Sequence, residues 1–143
     1  MSSVIGYTVY ANYPRIFVRD TDKTAITTRT NTAGSWQTYW DNTLAPYATT
    51  LASQTDAYVA GVNDDSYSRY MVLGLYGWIE SNVAAHTKLL SAAKYLAQTT
   101  SIWESWTGRR YQVLSLAYAY NFLRTGVVTF SEADRKIIGD ALI

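Results

Sequence analysis

From residue 35 onward, apolar positions recur along the chain at spacings of three and four, the period of a helix face. The opening stretch differs. Val4, Ile5, Tyr7, Thr8, Val9, Tyr10, Ile16, Phe17 and Val18 are β-formers, and Pro14 blocks a helix through their middle, so residues 1–19 read as an extended lead-in. Residues 20–31 predict a short helix capped by Asp20 or Thr21 and weakened by Thr24, Thr27, Thr28 and Thr30. Ser35 opens a firmer helix with Trp36, Tyr39, Trp40, Leu44, Tyr47, Ala48 and Leu51 on one face. Pro46 inside that pattern predicts a kink or a split. Residues 53–65, with Gly61, Asn63, Asp64 and Asp65, read as a loop.

The pattern then becomes denser. A helix over 66–80, capped by Asp65 or Ser66, carries Tyr67, Tyr70, Met71, Gly74, Leu75, Trp78 and Ile79 on one face and Val72, Leu73 and Tyr76 on the other. A helix that is apolar nearly all round is buried on both sides. Gly74 and Gly77 each cost it about 1 kcal/mol of propensity, which predicts close approach of a neighbouring backbone. After a break at Ser81-Asn82, residues 83–98 are amphipathic. His86, Leu89, Leu90, Ala93, Leu96 and Ala97 face inward, and Lys88, Ser91, Lys94 and Gln98 outward. A second apolar helix spans 106–124 and ends at Gly126. The last opens at Ser131, with Asp134 completing a variant capping box and Glu132–Lys136 in the favourable i,i+4 order.

Buried helix followed by amphipathic helix thus occurs twice, and Val72-Leu73-Gly74-Leu75 is echoed by Val113-Leu114-Ser115-Leu116. Such a period predicts stacked antiparallel helical hairpins. The predicted class is therefore mainly α, with residues 20–143 as the hairpin domain. The apolar stripe through Ile137, Ile138, Ala141 and Leu142 predicts a cover, either further hairpins or other copies of the chain.

Composition narrows the chemistry. The 143 residues carry 12 Lys+Arg against 11 Asp+Glu, so no strong field favours nucleic acid or an anionic membrane as partner. There is no Cys and one His, which removes thiolate chemistry and a multi-His metal site within one chain. No stretch reaches the roughly 20 apolar residues of a membrane span, and Met1 to Gly6 has no charged start to an export signal. No phosphate loop, dinucleotide fingerprint, nucleophile elbow or zinc helix motif is present, and no cofactor is expected. Asp64-Asp65 reads as loop and cap, and His86, in line with Leu89, Leu90 and Ala93, as a buried structural histidine. The unusual feature is aromatic: 13 Tyr, 5 Trp and 3 Phe. Tyr and Trp suit binding surfaces as well as cores, and apolar sugar faces stack on them.

The best binding candidate is Trp103-Glu104-Ser105-Trp106-Thr107-Gly108-Arg109-Arg110-Tyr111. Trp103 and Trp106 at a helix entry would stack a sugar, and Arg109 and Arg110 would pair with its carboxylate. The plainer alternative is a hydrophobic staple with two solvated arginines. Tyr67 and Arg69 occupy the matching start of the preceding buried helix. Two such starts would share one rim of a hairpin ring.

Tyr13-Pro14-Arg15-Ile16-Phe17 resembles the entry motif of heparinase II/III-like and alginate-lyase-like polysaccharide lyases. Residues 67–79 are similar to the first inner helix of their α/α toroid, and the stretch from Gly108 through Asn121-Phe122 to Phe130-Ser131-Glu132-Ala133-Asp134-Arg135 resembles a later one. Tyr13 stands where the family has His, and Asn121-Phe122 where it has Asp-Trp. The resemblance implies a partial α/α toroid and an acidic polysaccharide as partner; the location stays open, with an extracellular, periplasmic or virion-associated setting favoured. The family's reaction is β-elimination at a uronic acid, but its catalytic Asn, His and Tyr lie beyond the matched motifs and none is assigned here. A non-catalytic glycan-binding or assembly module, such as a virion or surface-appendage component, is the alternative expectation.

Overall fold

The computed structural model describes residues 18–61, 66–99 and 106–142. Residues 1–17 of the predicted lead-in, residues 62–65 of the predicted loop, and Trp103, Glu104 and Ser105 of the binding candidate lie outside these residues. The described chain is mainly helical, with no strand among the described residues.

A 3-10 turn, Asp20–Asp22, leads into α1, Lys23–Asn31. Its N-cap is Asp22, whose side chain makes no cap bond into the helix. Instead Asp22 accepts a bond from the Arg19 amide at 2.8 Å. The threonines fold back on the helix: Thr28 donates to the Thr24 carbonyl and Thr32 to that of Thr28. These bonds satisfy the hydroxyls locally, the competition that makes threonine a poor helix former.

The helix predicted from Ser35 forms as α2, Ser35–Tyr39, a π turn, Trp40–Leu44, and α3, Ala45–Ser53. The segment is divided just ahead of Pro46, by a π turn and not by a loop. Right-handed helical dihedrals persist through Tyr39, Leu44 and Ala45. The Ala45 amide reaches back to the Trp40 carbonyl, five residues away, just ahead of the proline that lacks a donor. The wider turn changes the helical phase. Trp40, Ala48 and Leu51 are buried, whereas Trp36, Tyr39 and Tyr47, expected on the same stripe, are exposed.

The predicted loop at 53–65 contains a further short helix, α4, Asp56–Ala60. The Thr55 hydroxyl accepts from the Tyr58 amide at 3.2 Å, an N-cap that the sequence reading missed. Val59 and Ala60 bury its inner side.

Two hairpins carry the core. In the first, α5, Ser66–Ile79, turns through Ser81, at φ 51°, into α6, Val83–Gln98, capped by Asn82 accepting from the Ala85 amide at 2.9 Å. In the second, α7, Trp106–Leu123, passes through Gly126, at φ 81°, to α8, Glu132–Asp140. Ser131 caps α8 by accepting from the Asp134 amide at 3.1 Å. Lys136 pairs with Asp140 at 2.7 Å, not with Glu132 as expected. Helix α5 is central, packing on α3, α6 and α7. Early residues of α5 meet early residues of α7 (Tyr67 with Tyr111) and late meet late (Trp78 with Phe122), so these two run in the same direction.

Two expectations change in detail. Gly74 and Gly77 make room for side chains, not backbone: Phe122 occupies the space a Cβ at Gly74 would take, and His86 that at Gly77. The repeated V-L-x-L letters are not equivalent either. Leu73 is fully buried, while Val113 is exposed and Leu114 half-buried.

Candidate functional site

The predicted site residues lie around the starts of α5 and α7. Tyr67 and Tyr111 stack there, with ring centroids 5.6 Å apart and planes 14° from parallel. This contact brings the two helix starts to one end of the fold, the pairing that the sequence suggested. Positions 106, 109 and 110 fall in the first turns of α7, whereas Trp103 lies outside the described residues. Burial, and then the nearby Tyr67 phenol, push the Tyr118 hydroxyl above its ordinary range.

Arg69 is built into the junction of α4 and α5. Its guanidinium donates to the Tyr58 carbonyl and lies over the Tyr58 ring, 4.4 Å from the centroid. The same group lies against Gly61, where a Cβ would come within 3.2 Å of Nη1. A cation over an aromatic face gains from the ring quadrupole. Arg69 thereby fixes the entry to α5.

The proton-transfer candidates in the interior are engaged in packing. Tyr70 is fully buried and its hydroxyl donates to the Ala92 carbonyl at 3.0 Å. Burial, and to a lesser extent the Asp56 charge, push its phenol far above the ordinary value. His86 is also fully buried and bonds the Gly74 carbonyl at 3.0 Å, as its place on the inner stripe predicted. Among the described residues, no group of three or more His, Asp or Glu gathers to hold a metal. No described helix is long and apolar enough to cross a membrane.

The side of α6 read as outward-facing joins neighbouring helices. Lys88 and Ser91 both donate to Asp56 of α4, at 2.8 and 2.7 Å. Burial pushes the Asp56 carboxyl up, but the two bonds and the Lys88 charge together hold it below its usual value. Lys94 pairs with Asp134 of α8 at 2.6 Å. That bond first, and then the one from Ser131, hold Asp134 below the usual carboxylate range.

A second feature was not anticipated. An apolar groove of about 240 Å³ lies between α1 and the α2–α3 segment, lined by Val18, Ile26, Tyr39, Trp40, Leu44 and Leu75. Trp36, 64% exposed, and Arg29 flank it. The sequence signal was the aromatic cluster Trp36, Tyr39 and Trp40 at the helix start, of which only Trp40 is buried. Comparison with known proteins gives no matching family model, no matching curated protein and no matching solved structure.

Proposed function

We propose that this chain is a glycan-handling unit of helical hairpins, of the polysaccharide-lyase type, that holds an acidic polysaccharide at the end where α5 and α7 begin. The Tyr67–Tyr111 stack carries the reading, because it places two helix starts side by side. One of them supplies Trp106, Arg109 and Arg110. Trp106 would lie against a sugar face, and the arginines would pair with a uronate carboxylate through paired N–H donors. In this reading the hairpins form part of an α/α toroid, completed by further hairpins or other copies of the chain. The stretch holds and orients the glycan, and the base and acid of a β-elimination lie elsewhere.

The test is a titration with uronate oligosaccharides, read by calorimetry, for the wild type and for W106A and R109A. Binding that weakens tenfold or more in either variant supports the reading. Equal affinity in all three proteins overturns it.

The exposed Trp36 and Tyr39 beside the apolar groove favour a second reading, an assembly module whose groove side meets another protein surface. Light scattering separates the two. A defined oligomer that Trp36→Ser dissolves supports assembly, and a monomer at all concentrations removes self-assembly.

A further inference from the structure

His86 is the chain's one imidazole, and the glycan reading does not use it. It is fully buried near the start of α6, with Nε2 3.0 Å from the Gly74 carbonyl oxygen. A carbonyl oxygen only accepts, so Nε2 carries the hydrogen and Nδ1 is the bare nitrogen. Nδ1 is buried and has no hydrogen-bond partner among the described residues. The ring rests on Gly77, in space that any side chain there would need. This seat accepts a neutral imidazole. A second proton would have to sit on Nδ1, with no acceptor, where a buried unpaired charge is costly.

Among the described residues, the surrounding charges give no relief. Helix α6 itself has only cations, Lys88 and Lys94, besides the histidine. Helices α3, α5 and α7 contain no carboxylate. Arg69 of α5 is held at Tyr58, and Glu80, just past that helix, accepts from the Trp40 indole. The arginines of α7 are at positions 109 and 110. Asp56 of α4 is engaged by Lys88 and Ser91, and Asp134 of α8 by Lys94 and Ser131. The remaining charges of α8, Glu132, Arg135, Lys136 and Asp140, are exposed. Burial holds the imidazole below its ordinary value against the pull of the Gly74 bond, and the Lys23 charge of α1 adds to the effect.

We propose that the seating of His86 on Gly77 is an acid-sensitive latch between α5 and α6, closed by the neutral ring and released when the ring takes a second proton. Gly74, whose carbonyl the ring holds, also contacts Phe122 of α7, so release loosens the central helix against both α6 and α7.

The unfolded chain takes a proton on His86 near pH 6.5, and the folded chain resists it to lower pH. The unfolded state therefore binds more protons as the solution is acidified. Stability is full above about pH 6.5 and falls below it, by at most about tenfold in the folding constant per pH unit, until the folded ring is itself protonated. Denaturant unfolding at pH 7.5 and 5.5 tests this on the wild type and on H86Q, whose amide can donate to the same carbonyl without titrating. The expected result is a fall of up to about tenfold in the wild type that H86Q lacks. The same pH dependence in both proteins overturns the latch. If H86Q does not fold, the imidazole resonances of the wild type decide. Folded-state signals that disappear on acidification without shifting support it. A titration near pH 6.5 with the fold intact overturns it.

Discussion

Phe122 of α7 fills the space beside Gly74 of α5 that any larger residue would need. Its Cβ, Cγ and Cδ2 atoms all border that space, and because Cβ and Cγ lie on the axis of ring rotation, turning the ring does not clear it. Gly74→Ala gains up to about 1 kcal/mol of helix propensity. Overpacking costs about 1–3 kcal/mol and wins. The variant should unfold at lower urea concentration than the wild type. Combining it with Phe122→Ala should cost less than the two single changes added together, because the double variant no longer overlaps. Strict additivity would show that the two residues do not share this space.

Ser131 and Asp134 secure the start of α8, and Lys94 ties that start to α6. Ser131→Ala should lose about 1 kcal/mol of stability, the usual cost of a lost N-cap. Asp134→Asn tests the charge. The folded carboxyl titrates below its unfolded value, so its contribution is present above about pH 4 and lost as pH falls through the folded value. The acid limb of the stability curve should be shallower in the Asn variant. An unchanged acid limb would exclude the pair as a source of acid sensitivity. Its window opens near pH 4 and that of His86 near pH 6.5, so the upper part of one pH series reads His86 alone.

Trp40 anchors the π turn to the end of α5. Its indole donates to the Glu80 carboxylate at 2.9 Å, and its ring lies 6.1 Å from that of Tyr76. Trp40→Phe keeps most of the apolar bulk and removes the donor. Glu80 is exposed and can turn to water, so the loss should be about 1 kcal/mol, the net worth of one hydrogen bond. Thermal unfolding of this variant beside Glu80→Gln, which retains an acceptor, measures it. A Trp40→Phe midpoint equal to the wild type would place the anchor in packing alone.

Tyr67→Ala should weaken the join between α5 and α7 by about 0.5–1.5 kcal/mol beyond the area lost, the range for an aromatic pair. A double-mutant cycle with Tyr111→Ala isolates the ring contact. A coupling energy of zero would leave the two helix starts without a mutual tie.

The helices were legible where a single physical rule governed them. The apolar surround of residues 66–79 and the Ser131–Asp134 box each rest on local spacing, and each formed as read. The failures came where distant groups decided. Thr55 caps a helix only five residues long, too short to show a period. Lys88, Ser91 and Lys94 read as solvent-facing because their partners, Asp56 and Asp134, lie far off in sequence. At the candidate site, the sequence paired two helix starts, and the Tyr67–Tyr111 contact supplied the geometry that letters cannot. It gave no hint that Arg69 would turn onto the Tyr58 carbonyl.

The π turn at Trp40–Leu44 also bears on how chain length is tolerated. A π turn holds one residue more than the α-helix around it. A chain shortened by one residue here could close the gap as plain α-helix, with its ends still in line. Everything on the N-terminal side would then swing by about 100°, the angle of one helical residue. Trp36 and Tyr39 would move with it, and the groove would lose its wall. The surplus residue acts as a phase shifter: its presence decides which aromatic rings this protein shows to its surroundings.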